Sequence, residues 1–208
     1  MKQHRKAAYE EEMRKMAEVK RAYESLEDGQ RGPRISLANT RFELYCMEYF
    51  DYFYDSDCVY DQLIKHVEFQ HHHGNRKAGL PPAGLRRVDG KVHLESYGEP
   101  TFQPFVVPAY ASREIGRLVS PWGNQEEMSV QFLSDDHLIL KLSQRAVFEP
   151  DNAPLDLPEV FVFFGVRDRE EEALEKERQE RASRQSPRET WFEMNHPMGW
   201  WSKTHSWF

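Results

Sequence analysis

The stretch MSVQFLSDDHLILKLS, residues 128–143, decides the class of fold that this chain adopts. Apolar side chains stand at alternate positions in its first part, at Met128, Val130 and Phe132, and again in its second part, at Leu138, Leu140 and Leu142. The segment Ser134-Asp135-Asp136 between the two parts carries the short polar side chains that are typical of turns. Two alternating segments joined by a turn predict an antiparallel β-hairpin.

Shorter segments extend this pattern along the chain. Residues 92–96 alternate after an Asp89-Gly90 turn signal, and residues 102–107 and 113–119 are short and bounded by prolines. Residues 159–166 form a nearly continuous apolar run, which favours a strand buried on both faces. Together these segments predict a mostly antiparallel sheet.

Residues 1–28 have the period of an α-helix instead. Their apolar side chains recur every three or four positions and form one narrow stripe, at Tyr9, Met13, Met16, Val19, Tyr23 and Leu26. Oppositely charged side chains four residues apart, such as Glu10 and Arg14, stabilise such a helix further. The stripe suits packing either on the protein's own domain or against another helix.

Two aromatic amphipathic helices are predicted next, one over residues 36–54 and one that begins at about Asp57. The apolar residues of the first follow helical spacing at Phe42, Tyr45, Cys46, Tyr49, Phe50 and Phe53. Those of the second are Val59, Tyr60, Leu63, Ile64 and Val67. So many aromatic rings suit the floor of a core or the wall of a pocket.

The chain ends with a charged helix and an aromatic tail. Residues 168–184 have too few apolar side chains for a core-facing stripe, which predicts a solvent-exposed helix. Four of the five tryptophans lie in the last 18 residues. The order of elements predicts an α+β fold in three parts. These are a charged helical arm at 1–34, a compact domain at 35–166 with helices packed on the sheet, and a charged helix with its tail at 167–208.

Composition narrows the class of protein. The 208 residues carry a formal net charge of −7, which disfavours binding to nucleic acid. No apolar run approaches the roughly 20 residues that span a bilayer, and the basic N-terminus lacks the apolar segment of a secretory signal. Cys46 and Cys58 lie in apolar surroundings, where we expect buried free thiols. These features predict an intracellular protein of the cytoplasm or the nucleus, without membrane attachment.

The three consecutive histidines, His71, His72 and His73, do not predict a metal site. Adjacent residues of a helix point in different directions, and His66 is not four residues away from any of the three. Gly74 directly follows them and is typical of a helix C-terminus, so we interpret the triplet as the end of the second aromatic helix. We expect neither a metal nor a cofactor.

The tryptophan-rich tail carries the leading functional hypothesis. Large aromatic rings are costly to expose and are enriched at protein interfaces, so the tail docks either onto a partner or back onto its own domain. We expect a non-enzymatic regulatory or interaction protein that binds a protein partner through the tail and the first helix. The contact residues would be Trp191, Phe192, Trp200, Trp201, Trp207 and Phe208 of the tail, with Tyr9, Met13, Met16 and Tyr23 of the helix.

The alternative hypothesis is a small-molecule enzyme or binding protein. Helices packed into a curved sheet can form a cone-shaped pocket, as in the NTF2-like cyclases, isomerases and dehydratases, an analogy at the level of fold alone. His93 or His137 would then be the general base, while Tyr45, Tyr49 and Asp51 would line or polarise the site.

Overall fold

The computed structural model of the protein describes residues 2–27, 31–54, 64–71, 87–94, 100–121, 127–148 and 157–184. Its helices are α1 (Lys2–Ser25), α2 (Met47–Phe53), α3 (Gln144–Val147) and α4 (Arg169–Arg184). Its strands are β1 (Thr40–Tyr45), β2 (Lys65–His71), β3 (Arg87–Leu94), β4 (Thr101–Val106), β5 (Gly116–Leu118), β6 (Met128–Phe132), β7 (His137–Ser143) and β8 (Val160–Arg167). The chain forms two compact units, Met1–Arg169 and Glu170–Phe208. The structure confirms a mixed α+β fold dominated by a large antiparallel sheet.

The eight described strands of the first unit form a single sheet. Their order is β4-β3-β2-β1-β8-β7-β6-β5, and every neighbouring pair is antiparallel. The N–H of Gln103 in β4 donates a hydrogen bond to the carbonyl oxygen of Val119, directly after β5, at 2.8 Å. Since β4 and β5 are the two edge strands, the sheet curls until its edges meet at this point.

The hairpin predicted over residues 128–142 is present as β6 and β7. Val130 lies opposite Leu140, and Phe132 lies opposite Leu138. These side chains belong to an interior to which every strand contributes. Its members include Phe42, Leu44, Val67, Phe69, Val92, Phe102, Leu118, Val130, Leu138, Phe161 and Phe163. The concave inner face of the sheet is therefore used for apolar packing.

Two short helices close one end of this interior. Tyr49 of α2 is fully buried, with its ring centre 5.5 Å from that of Phe163 in β8. Phe53, at the end of α2, stacks on Phe148, the residue after α3, with 5.4 Å between ring centres. The aromatic residues of α2 thus extend the interior beyond the ends of the strands.

The helix α1 lies against the outer face of the sheet. Val19 is fully buried there and packs with Ile139 of β7 and Val166 of β8. Near the end of α1, the guanidinium of Arg113 lies 4.6 Å from the ring centre of Tyr23 and donates a hydrogen bond to the carbonyl oxygen of the same residue at 3.1 Å. The predicted N-terminal helix is thus present, and its apolar stripe packs on the protein's own domain.

A buried ion pair holds the first half of α1 in place. Glu12 is only 3% exposed, and its carboxylate accepts a hydrogen bond from the N–H of Cys46 at 2.6 Å and pairs with the ammonium of Lys65. That ammonium lies 5.2 Å from the ring centre of Tyr45 and 5.8 Å from that of Phe50. Burial raises the pKa of Glu12 and lowers the pKa of Lys65, because desolvation penalises both charged forms. This pair joins α1 to the end of β1 and the start of β2.

The prediction of two aromatic helices, one over residues 36–54 and one from about residue 57, is wrong for most of the described residues of these segments. In place of the first, the structure has β1 followed by the short helix α2. In place of the end of the second it has β2, and residues 55–63 lie outside the described residues. The histidine triplet does not end a helix, because His71 is the last residue of β2, while His72 and His73 also lie outside the described residues.

The strand β1 shows why helical spacing misled the prediction. Phe42 and Leu44 face the interior while Arg41 and Glu43 lie on the opposite face, so this segment also has a period of two. Its backbone pairs with β2 on one side and β8 on the other. Such long-range pairing outweighs local spacing. Asn39, with a φ of 56°, adopts the left-handed conformation directly before the strand, and asparagine tolerates this conformation well.

The turn predicted at Asp89-Gly90 is also wrong, because both residues lie inside β3. The register between β3 and β4 shifts between Val88 and Gly90. A Cβ atom at position 90 would overlap the carbonyl oxygen of Glu68 and the ring of Phe102. Glycine is therefore required for a close approach of strands rather than for a turn.

The second unit contains all but the first residue of α4, the charged helix predicted from residue 168. Its side chains pair along its own surface, with Arg181 2.7 Å from Glu177 and Arg178 3.4 Å from Glu171. Among the described residues, α4 and the other helices all lack the combination of length and hydropathy that crossing a bilayer requires. The tryptophan-rich tail lies outside the described residues.

We expect Lys65→Met to lower the free energy of unfolding by about 3 kcal/mol, because it leaves the buried carboxylate of Glu12 without its cation. The double variant Glu12→Gln/Lys65→Met should recover most of this loss, since the amide oxygen still accepts from Cys46 and no unpaired charge remains. Urea unfolding followed by circular dichroism measures both changes. Lys6→Met, which removes a cation from an exposed pair with Glu10, is the control and should change stability by less than about 0.5 kcal/mol. A Lys65→Met variant as stable as this control would contradict the assigned role.

Candidate functional site

The strand β2 places ionisable side chains on the outer face of the sheet. Val67 and Phe69 belong to the apolar interior. Because successive side chains of a strand point to opposite faces, His66 and Glu68 lie on the outer face.

The neighbouring strands add further ionisable groups to the same face. Residues directly opposite one another in antiparallel strands share a face. The register of β1, β2 and β3 therefore builds two adjacent rows of three side chains. One row is Arg41, Glu68 and Lys91, and the other is Glu43, His66 and His93.

Three side chains of these rows converge into what we call the His–Glu–His cluster, formed by His66, Glu68 and His93. The two imidazole rings stack with 4.4 Å between their centres and 17° between their planes. Nε2 of His66 lies 3.4 Å from Oε1 of Glu68, and Nε2 of His93 lies 3.7 Å from Oε2 of the same carboxylate. One ligand atom from each residue lies within 4.8 Å of those from the other two.

The donor set of this cluster fits a divalent transition metal. Two imidazole nitrogens and a carboxylate oxygen are ligands that zinc uses, at about 2.0–2.2 Å. In a tetrahedral site the ligand atoms are then about 3.3–3.5 Å apart. The separation of 3.4 Å between Nε2 of His66 and Oε1 of Glu68 matches this value, whereas the 3.7 Å separation of His93 is measured to the other carboxylate oxygen, Oε2.

Coordination by both imidazoles requires one rearrangement. The lone pair of a ring nitrogen lies in the plane of the ring, and the planes of His66 and His93 are nearly parallel. At least one ring must therefore turn before both nitrogens can point at one ion. Rotation of an imidazole about its terminal bond is a soft motion, so this rearrangement is readily accessible to the side chains.

The charges around the cluster are partly balanced. Arg41 lies between two carboxylates, with Nη1 4.0 Å from Oε1 of Glu68 and Nε 3.9 Å from Oδ2 of Asp168. Its positive charge is thus shared, rather than committed to Glu68. Burial, with Arg41 and His93 nearby, lowers the pKa of His66 to about 4, so its imidazole is neutral at neutral pH.

A second polar group of residues lines a cleft between α1 and the outer face of β1 and β2. The cleft has a volume of about 630 Å³, and Glu12, Tyr45, Lys65 and His66 are among its lining residues. The hydroxyl of Tyr45 donates a hydrogen bond to Oε2 of Glu43 at 2.7 Å. Burial above all, and then Glu43, raises the pKa of Tyr45 far above its ordinary range. A tyrosine hydroxyl whose pKa is raised this far is poorly suited to proton transfer at neutral pH.

The residues of the alternative enzyme hypothesis lie in different places. His93 belongs to the His–Glu–His cluster, and Tyr45 lines the cleft. Tyr49 is buried among the rings of the interior. Asp51 is exposed and forms an ion pair with Arg5 at 3.3 Å.

His137, the fifth of these residues, lies where the β6–β7 turn meets α1. One ring nitrogen is 2.9 Å from the hydroxyl of Ser134, and the other is 3.0 Å from Oε1 of Glu18 in α1. In the same turn, Asp136 pairs with Arg169 at 2.6 Å. These contacts tie the turn to its surroundings, and the structure does not bring the five proposed catalytic residues together.

The proposed partner-binding residues divide into two groups. The six aromatic residues of the tail lie outside the described residues. On α1, Met16 is buried and Tyr23 lies beneath Arg113, whereas Tyr9 and Met13 are 43% and 46% exposed. Only part of the α1 stripe therefore remains accessible.

His66 and Glu68 were missed as site residues because the sequence interpretation placed them on a helix. The segment KHVEFQ does alternate, with Val67 and Phe69 as the apolar positions, and this period of two is the signal that identifies the strand. The proximity of His93 has no local signal, since it arises from the register between β2 and β3.

A comparison of the chain with models of protein families finds no match, and comparisons with curated proteins and with solved structures find none either.

The thiol of Cys46 gives a direct check on the buried position of the residue that follows β1. Burial above all raises its pKa to about 12, and its Sγ donates to Oε2 of Glu48 at 3.3 Å. Because the thiolate is the reactive form, we expect the Cys58→Ser variant to react with iodoacetamide at pH 8 at least about tenfold more slowly when folded than in urea. Mass spectrometry of timed samples measures the two rates. Equal rates in the folded and unfolded states would contradict the buried position of Cys46.

Proposed function

We propose that this protein binds one divalent transition metal of the zinc class through His66, Glu68 and His93, and that it acts as a binding protein. The convergence of these three side chains within 4.8 Å carries the proposal. Their identities match a metal better than a purely structural contact, because two imidazoles and one carboxylate form a complete three-ligand set.

The surroundings of the cluster support this function. All three ligands stand on paired strands, which hold side chains more precisely than loops do. The side chains of His66, His93 and Glu68 are 12%, 23% and 32% exposed, so an ion can reach them from solvent and still be partly shielded.

The ligand types favour zinc over the common hard cations. Imidazole suits zinc, copper, nickel and iron, whereas magnesium and calcium prefer sites built from oxygen atoms alone. With two nitrogen ligands and a single carboxylate, the cluster should discriminate strongly against magnesium and calcium.

We expect the full-length protein, stripped with a chelator, to bind one Zn²⁺ per chain at pH 7.5. His66→Ala and His93→Ala should each weaken binding by at least about 100-fold, because each removes a direct ligand. Competition with a chromophoric zinc chelator measures the affinities, and magnesium in large excess should not displace the zinc.

The histidine triplet supplies the matched control, because histidine-rich segments bind metals weakly on their own. The triple variant His71→Ala/His72→Ala/His73→Ala removes more imidazoles than either single variant and should keep the tight site. Loss of binding in the triple variant, with binding retained in His66→Ala, would show that the triplet rather than the His–Glu–His cluster holds the metal.

A second candidate function is docking onto a protein partner through the C-terminal tail. Four of the five tryptophans lie in the last 18 residues, and such rings are frequent anchors of interfaces. Since the α1 stripe is partly buried on the sheet, the tail would supply most of the contact, with Tyr9 and Met13 as the accessible residues of α1.

In the full-length Trp122→Phe variant, every remaining tryptophan lies in this tail. A tail that awaits a partner should show red-shifted emission and quenching by iodide close to that of the same variant in urea, because its rings face water. Blue-shifted, shielded emission would instead mean that the tail folds back onto the chain, and would contradict docking through an accessible tail.

A further inference from the structure

We infer that the metal of the His–Glu–His cluster keeps an open coordination position and that this position binds a small oxyanion, a carboxylate or a phosphate, from the groove beside β3 and β4. This inference rests on the proposed metal site. Three protein ligands leave at least one position of a zinc-class ion to be filled by water or by an exchangeable ligand.

The cluster lies between two cavities of different character. His66 lines the cleft beneath α1, in which Glu12 and Lys65 already pair with each other. Glu68 and His93 line the second cavity, a groove of about 550 Å³. An exchangeable ligand that approaches the cluster from the groove meets the metal without disturbing the buried ion pair.

The lining of the groove is suited to a small anion. Lys91 lies directly opposite Glu68 in the register and lines the groove, which places a positively charged residue in its wall. Gln70, Thr101 and Gln103 also line the groove and carry hydrogen-bond donors. A volume of this size is in the range of sites for small organic molecules, so the anion can carry an organic group.

The charge balance favours an anion over a neutral ligand. A divalent ion bound by one carboxylate and two neutral imidazoles keeps a formal charge of +1, and Lys91 adds a second positive charge from the same row of side chains. Two of the nearby acidic groups have other partners, since Glu43 accepts a hydrogen bond from Tyr45 and Asp168 lies beside Arg41. Asp89 also lines the groove and offsets one positive charge, so the metal, Lys91 and Asp89 together keep a formal charge of +1.

Cobalt reports both the site and its open position. Co²⁺ replaces zinc in sites of this kind, and its visible absorption changes with coordination number and ligand. We would load the full-length protein with Co²⁺ at pH 7.5, and titrate it with acetate and, separately, with inorganic phosphate at constant ionic strength. We expect at least one of the two anions to change the visible bands in a saturable way. The anion that binds more tightly shows whether the site prefers a carboxylate or a phosphate.

Lys91→Met tests the role of the groove. Removing one positive charge near the metal should weaken anion binding by about three- to tenfold, while the spectrum of the bound Co²⁺ without anion stays unchanged. Lys91→Arg keeps the charge and should bind the anion as the natural chain does. Lys141→Met removes a lysine from β7, outside the three strands of the cluster, and should also leave anion binding unchanged.

The two proposals fail in different ways. If the natural chain develops no protein-bound Co²⁺ spectrum, the metal site itself is refuted. If the Co²⁺ spectrum forms but responds to neither acetate nor phosphate, the metal site stands and the oxyanion inference is overturned. Equal anion affinities in Lys91→Met and in the natural chain would overturn the assignment of the groove as the path and site of the anion.

Discussion

The pairing of β1 with β8 is the constraint on which the rest of the structure depends. It joins the segment from β1 to β4 and the segment from β5 to β8 into one sheet, so that both share a single inner face. Apolar side chains from every strand fill that face. Burial of an unpaired polar group there would cost several kcal/mol, so most polar side chains of the strands stand on the outer face. The ionisable groups of the sheet are therefore concentrated on the outer face.

The helix α1 divides this outer face into a covered and an accessible part. Its apolar stripe covers β7 and β8, and the ion pair between Glu12 and Lys65 holds its first half beside β1 and β2. Taking two charges out of water is costly, and the hydrogen bond from Cys46 and the rings of Tyr45 and Phe50 help to offset that cost. Beyond the helix, Glu68 of β2 and the ionisable side chains of β3 remain partly accessible to solvent.

The His–Glu–His cluster is a product of strand register. His66 and His93 meet because they lie directly opposite one another, and Glu68 reaches both because it stands two residues farther along β2. A slip of one residue would send one imidazole to the inner face and dissolve the cluster. Gly90 helps to hold this register, since it lets β3 approach the backbone of Glu68 and the ring of Phe102 closely. The same register places Lys91 beside the carboxylate that would hold the metal.

The sequence by itself determined the elements whose signal is local. The spacing of apolar and charged residues within one segment is enough to predict the hairpin at 128–142, the helix α1, the strand β8 and the charged helix α4. Only the tertiary structure decided β1 and β2, because their aromatic residues fit a helical period as well as a period of two, and pairing with distant strands selected the second. The same holds for the candidate site. His93 was recognisable as a strand histidine, but its proximity to His66 and Glu68 exists only once β2 and β3 pair, and no spacing within either segment encodes that contact.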